Sequence, residues 1–110
     1  MNTYIPGLWI DDIRIPPSYF KVGESFVAWD WVKDVNSAKY YIEKAERNIA
    51  YMIISIDHDA GDFGPPDYIK VLDWLEETGR SYPIRIHSQN PVGVQNMRAI
   101  IEKNGWKEVR

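Results

Sequence analysis

Asp11 and Asp12 end the apolar run Leu8 to Asp11, Asp57, His58 and Asp59 end a second such run, and His87 and Ser88 end a third. Carboxylates held close together repel unless a proton or cation lies between them, and their hard oxygens suit Mg2+, Mn2+ or Ca2+. Asp11, Asp12, Asp57 and Asp59 are therefore the candidate metal ligands, with Mg2+ or Mn2+ the expected ion. Asp57 is also placed to accept a phosphate. His58 and His87 are candidates for general acid or base, since imidazole exchanges protons near neutral pH. As ligands they would complete a mixed shell that also admits Fe2+ or Zn2+. Arg14, three residues beyond Asp11, either pairs with the acids or holds a phosphate. The stretch His87 to Gly93 opens a helix whose first N–H groups are unpaired, which makes Ser88, Asn90 and the Gly93 backbone candidate phosphate contacts.

The same residues have plainer uses. Asp11 or Asp12 can cap a turn, and Asp59 can cap the glycine-rich turn that follows it. His87 can be a hydrogen-bonded structural residue, and Ser88 or Asn90 can cap a helix that carries Pro91 in its first turn.

These groups need a scaffold that brings distant segments together. The runs Leu8 to Asp11 and Tyr51 to Asp57 are apolar and end abruptly in acids, as buried parallel strands do. Phe26 to Trp31 is a second strand, at an edge because of Asp30, and Pro83 to His87 is a fourth. Trp106 to Val109 would close the sheet. Helices are expected from a cap at Asn36 or Ser37 to about Arg47, from about Asp67 to Glu77 before Gly79, and from about Val92 to Asn104 before Gly105. The first would turn Ala38, Tyr41, Ile42 and Ala45 to one side. Strands alternating with helices imply an α/β fold, a parallel sheet with helices on both faces. In such sheets ligands bind at the carboxyl ends of the strands, which is where the acids, histidines and Ser88 all fall.

With 110 residues, 45% hydrophobic and 26% charged, the chain has the composition of one globular domain, 1–110, built around one core. There is no cysteine, which removes disulfides, thiolate zinc sites and a cysteine nucleophile. A net charge of -3 argues against a long duplex DNA or RNA footprint but allows a small phosphorylated ligand whose charge a metal offsets. No apolar run is long enough to cross a bilayer, and MNTYIPGLWIDDIR lacks the basic start and apolar stretch of a signal peptide. A cytoplasmic protein without a membrane partner is the expectation. Most of the five tryptophans belong to the core or a sheet face, with Trp29 or Trp31 available to stack on a base.

LWIDDIR, SIDHDAG and IHSQNPVG, in this order and separated by helices, resemble the cyclic-phosphate-processing receiver-like family, related to the receiver domains of response regulators. The resemblance spans nearly the whole chain. It implies a flavodoxin-like three-layer sandwich with sheet order 2-1-3-4-5. It also implies an Mg2+ pocket made by Asp11, Asp12 and Asp57, with Ser88 as the hydroxyl residue after the fourth strand. Receivers carry a further lysine after the fifth strand; here Lys107 begins that segment and Arg110 ends it. Receivers generally lack His58 and His87, and imidazoles beside a metal pocket suit hydrolysis better than a stable phospho-aspartate switch.

The leading expectation is a metal-dependent phosphoesterase acting on a cyclic phosphate, in a cyclic nucleotide or at a cyclic RNA end. Asp11, Asp12, Asp57 and Asp59 would hold the ion, His58 or His87 would move the proton, and Arg14, Ser88 and Asn90 would place the phosphate. Two alternatives share the pocket: a protein that binds or sequesters a cyclic nucleotide without cleaving it, and a phospho-acceptor receiver modified at Asp57.

Overall fold

The apolar runs that end in acids become the inner strands of the sheet. In the computed structural model, which describes residues 3–110, β1 is Tyr4–Ile10, β2 Lys21–Val22, β3 Ser25–Val32, β4 Ile53–Ile56 and β5 Ile84–Ile86. Three α-helices lie between and after them: α1 Val35–Glu46, α2 Ile69–Glu77 and α3 Pro91–Asn104. A 3-10 turn, Gly61–Phe63, precedes α2.

The sheet order is β2-β3-β1-β4-β5, and β1 pairs in parallel with both β3 and β4. This is the receiver-like arrangement expected, with one difference in numbering. The added strand β2 has two residues and pairs antiparallel with Ser25 and Phe26. Without it the order reads 2-1-3-4, and the remainder of β3, Asp30 included, forms the edge. The expected closing strand at Trp106 to Val109 is reduced to one parallel bridge, Ile84 to Glu108. It is fastened by Ile84 N–H to the Lys107 carbonyl (2.9 Å) and Val109 N–H to the Ile84 carbonyl (2.8 Å).

The helices depart from expectation in placement. Residues from all three, including Ala38, Ile42, Leu72, Leu75, Met97 and Ile101, join one cluster with Leu8, Ile10, Ile54, Ile56 and Ile84. Alternation along a strand puts these strand residues on a single face. Trp9, Val27 and Ile53 are buried outside that cluster, on the opposite face. That face therefore lacks the expected helices and is covered from the irregular segment 11–20, whose Arg14 carbonyl accepts the Trp9 indole N–H and whose Phe20 packs on Trp29. The physical reason is in the sequence of the segment: Pro16 and Pro17 remove two N–H donors where a first crossover helix would run.

Local chemistry explains the ends. The cap of α1 is Asp34 rather than Asn36 or Ser37. Its carboxylate accepts from the Ser37 N–H at 2.7 Å and the Ser37 hydroxyl at 2.9 Å. Asn90 caps α3, accepting from the Gly93 N–H at 3.0 Å, with Pro91 in the first turn. Tyr41, expected to turn inward with Ala38, Ile42 and Ala45, is 38% exposed. Among the described residues no helix is long and apolar enough to cross a membrane.

Candidate functional site

Parallel pairing aligns the strand ends that the sequence filled with acids. Ile10, Ile56 and Ile86 lie abreast in β1, β4 and β5, so the next positions, Asp11, Asp57 and His87, emerge side by side. The ladder continues into them, with Asp57 N–H bonded to the Ile10 carbonyl and His87 N–H to the Ile56 carbonyl, both at 3.0 Å.

Asp11, Asp12 and Asp57 each offer a carboxylate oxygen within 4.8 Å of the other two, a hard-oxygen set that fits Mg2+ or Mn2+. Asp11 is 1% exposed and heavily used. One oxygen, Oδ1, accepts the N–H groups of Ile13 (2.9 Å) and Arg14 (3.0 Å), while Oδ2 faces His87 Nε2 at 2.9 Å. Burial by itself would raise the Asp11 pKa, but these hydrogen bonds outweigh it and hold the carboxyl below its ordinary value. With Oδ1 saturated, the free lone pair of Asp11 is on Oδ2. Asp57 moves the other way. Burial raises its pKa and the neighbouring Asp11 charge adds to the rise, against hydrogen bonds from the His58 N–H and Ser88. Asp12 packs against Gly61, a residue at φ +56 where an added Cβ would strike the Asp12 carboxylate.

The two histidines have different surroundings. The His87 side chain is 6% exposed and stacked flat on Trp9, ring centroids 3.9 Å apart at 3°. Both of its nitrogens are engaged, Nε2 with Asp11 and Nδ1 with Ser55 Oγ at 2.8 Å. Burial pushes its pKa down to about 4, although the Asp11 carboxylate pulls in the opposite direction. His58 lies against the start of α3, so close that a Cβ on Gly93 would collide with its ring. Its Nδ1 is 2.9 Å from Asp59 Oδ1, so its Nε2 is not taken up by that bond.

Asp59 thus stands with His58 and Asp67, in a second group of potential ligands, rather than with the three acids. Asp67 was not singled out in the sequence; its carboxylate also accepts the Ala60 N–H at 3.2 Å. Arg14 extends its Nη1 to the His87 carbonyl at 2.7 Å, beside Ser88, and its charge reaches Asp57. Ser88 Oγ accepts the Asn90 N–H at 3.1 Å. The Gly93 N–H is consumed by the Asn90 cap, and Asn90 Nδ2 faces Asp59 at 3.4 Å. In this arrangement Asn90 and Gly93 satisfy the helix terminus, while the Arg14 guanidinium lies close enough to Asp57 to act on its charge.

Sequence reasoning passed over Trp9, Ser55 and Arg85. Each sits two residues before a site residue, Asp11, Asp57 and His87 respectively, and strand alternation puts such pairs on one face. That spacing was the available signal.

No curated protein and no solved structure matches the chain. Residues 7–103 match the family described as the cyclic-phosphate processing Receiver domain. The parallel sheet, the acids gathered at its carboxyl rim and a match over most of the length place the chain in the cyclic-phosphate processing receiver family.

Proposed function

We propose that this protein is a metal-dependent phosphoesterase that opens a cyclic phosphate, in a cyclic nucleotide or at a cyclic RNA end. The observation that carries the reading is the convergence of Asp11, Asp12 and Asp57, within 4.8 Å of one another, next to the Arg14 guanidinium. A divalent cation held by the three acids would supply Lewis acidity toward a phosphoryl oxygen. Arg14 holds the phosphate with charge-assisted hydrogen bonds, and the Ser88 hydroxyl lies beside the same position.

His58 carries the proton. Asp59 accepts from Nδ1–H, so Nε2 has the lone pair that takes a proton from the attacking water. As the water oxygen bonds to phosphorus and the ring ester bond breaks, the same nitrogen returns the proton to the departing oxygen. The product is a linear phosphomonoester with a free hydroxyl. His87, with both nitrogens engaged, supports Asp11 instead of exchanging protons with substrate.

The test is incubation of purified protein and Mg2+ or Mn2+ with cyclic mononucleotides, cyclic dinucleotides and RNA ending in a cyclic phosphate. The expected result is a linear phosphomonoester from at least one of them, abolished by EDTA and by Asp57→Asn. Substrates that all remain unchanged would overturn the reading, and intact ligand recovered from the heated protein would replace it with sequestration.

A further inference from the structure

Ser55 lies within the most apolar strand, flanked by Ile54 and Ile56, and is 0% exposed. A hydroxyl buried there is costly unless it is paired. Its Oγ is 2.8 Å from His87 Nδ1 and accepts from Arg85 Nη1 at 3.3 Å. Ser55 and Arg85 are neighbours across the β4 and β5 ladder, one row behind Asp57 and His87. Four side chains from three strands therefore form one line: Arg85, Ser55, His87, Asp11.

The direction of each hydrogen bond in this line follows from what its ends can do. Arg85 can only donate and a carboxylate can only accept. The Ser55 oxygen receives the Arg85 N–H and turns its own proton toward His87 Nδ1. His87 then presents Nε2–H to Asp11 Oδ2. We propose that Ser55 and Arg85 are positioning residues for the acidic pocket, holding His87 in the tautomer that carries its proton on Nε2 and so aiming the free lone pair of Asp11 Oδ2. A partner that fixes the far nitrogen of an imidazole is a recurring way of orienting the group on its near side. The role assigned to the pocket rests on the proposed cation site, whereas the tautomer does not.

The line also reaches the segment that covers this face. The Arg85 guanidinium sits 4.8 Å from the centroid of Phe20, and Phe20 packs on Trp29 at 5.9 Å. At the other end Arg14 donates to the His87 carbonyl, and its own carbonyl accepts the Trp9 indole N–H at 2.8 Å. Segment 11–20, which supplies Asp11, Asp12 and Arg14, is thus tied down at both ends of the relay.

Two readouts on the metal-free, nitrogen-labelled protein and on its Mn2+ complex test this. The ring spectrum of His87 is expected to show a proton on Nε2 and none on Nδ1; a proton on Nδ1 would overturn the proposal. Ser55→Ala is expected to remove the hydrogen-bond shift of Nδ1 and to weaken Mn2+ binding about tenfold. Ser55→Thr, which keeps the hydroxyl, is expected to restore both. Unchanged Nδ1 shift and Mn2+ affinity in Ser55→Ala would also overturn it. If Ser55→Ala does not fold, Arg85→Met replaces it: this variant keeps an apolar stem over Phe20 and removes the donor that turns the Ser55 proton toward His87, so a reduced Nδ1 shift and weaker Mn2+ binding are expected, and no change in either would overturn the proposal. Wild-type protein that shows the Nε2 tautomer yet binds no Mn2+ would refute the cation site and leave the relay standing.

Discussion

On the helix-covered side of the sheet, Leu8, Ile10, Ile54, Ile56 and Ile84 pack into a largely aliphatic cluster with α1, α2 and α3. On the other side Trp9, Ser55, Arg85 and His87 share hydrogen bonds and ring contacts beneath an irregular segment. The helix side is held by non-directional burial, which tolerates apolar replacement of similar volume. The opposite side is held by named pairs, where removing one partner leaves a buried polar group unsatisfied. Both sides stabilise the chain, but only the second ends in Asp11. The comparison therefore separates residues that keep the protein folded from residues that keep its site in shape.

The largest effect is expected beyond the strand ends, at His58. His58→Gln is predicted to lower turnover of the cyclic phosphate by about 100-fold or more while Mn2+ affinity stays near that of wild type. Loss of metal binding in that variant would move His58 from proton transfer into the ligand set. On the helix side, Ile54→Ala is predicted to cost about 2–5 kcal/mol of stability in urea unfolding. The folded fraction should keep its Mn2+ affinity, and a loss in that fraction would blur the distinction between the faces. On the opposite side, His87→Gln is predicted to weaken Mn2+ binding about tenfold or more, by releasing Asp11 Oδ2. An unchanged affinity would mean that Asp11 is fixed by Ile13 and Arg14 alone.

The smallest effect lies at the sheet edge beside β5, where Glu108 bridges Ile84 and pairs with Arg98 of α3. Hydrogen bonds from Arg98 hold the Glu108 carboxyl below its ordinary pKa of 4.5. A carboxyl depressed in the folded state stabilises above its unfolded pKa, and that contribution fades as pH falls through the folded value. Glu108→Gln should therefore narrow the drop in melting temperature between neutral and acid pH. An equal drop in variant and wild type would show that the pair contributes nothing to the acid limb.

Much of this was legible in the sequence because parallel strands write their ends plainly. Apolar runs stopped by Asp11, Asp57 and His87 pointed to parallel strands and to the convergence of their ends, while the order of the sheet came from the family resemblance. Other features depend on partners that no local pattern reveals. Asp34 caps α1 although Asn36 and Ser37 are equally good capping types, and the choice turns on where the backbone leaves β3. Asp59 stands in an acid-rich run with Asp57, yet it faces His58, because the chain turns sharply after the strand ends. Gly93 opens a helix in the manner of an anion site, but the Asn90 side chain takes its N–H. The helix-free face was hidden because the chain is broken at Pro16 and Pro17 and shows no strand or helix pattern there, and such a stretch does not say that it covers a sheet. Ser55 and Arg85 were hidden inside apolar strands and became meaningful only when cross-strand pairing set them side by side.

The central claim is that Asp11, Asp12 and Asp57 share a divalent cation, and titration of Mn2+ with wild-type protein and Asp57→Asn, followed by the paramagnetic resonance of the free ion, tests it most directly. Stoichiometric loss of the free-ion signal with wild type, and a markedly weaker loss with Asp57→Asn, is the result predicted. Equal binding by the two proteins, or none by the wild type, would contradict it.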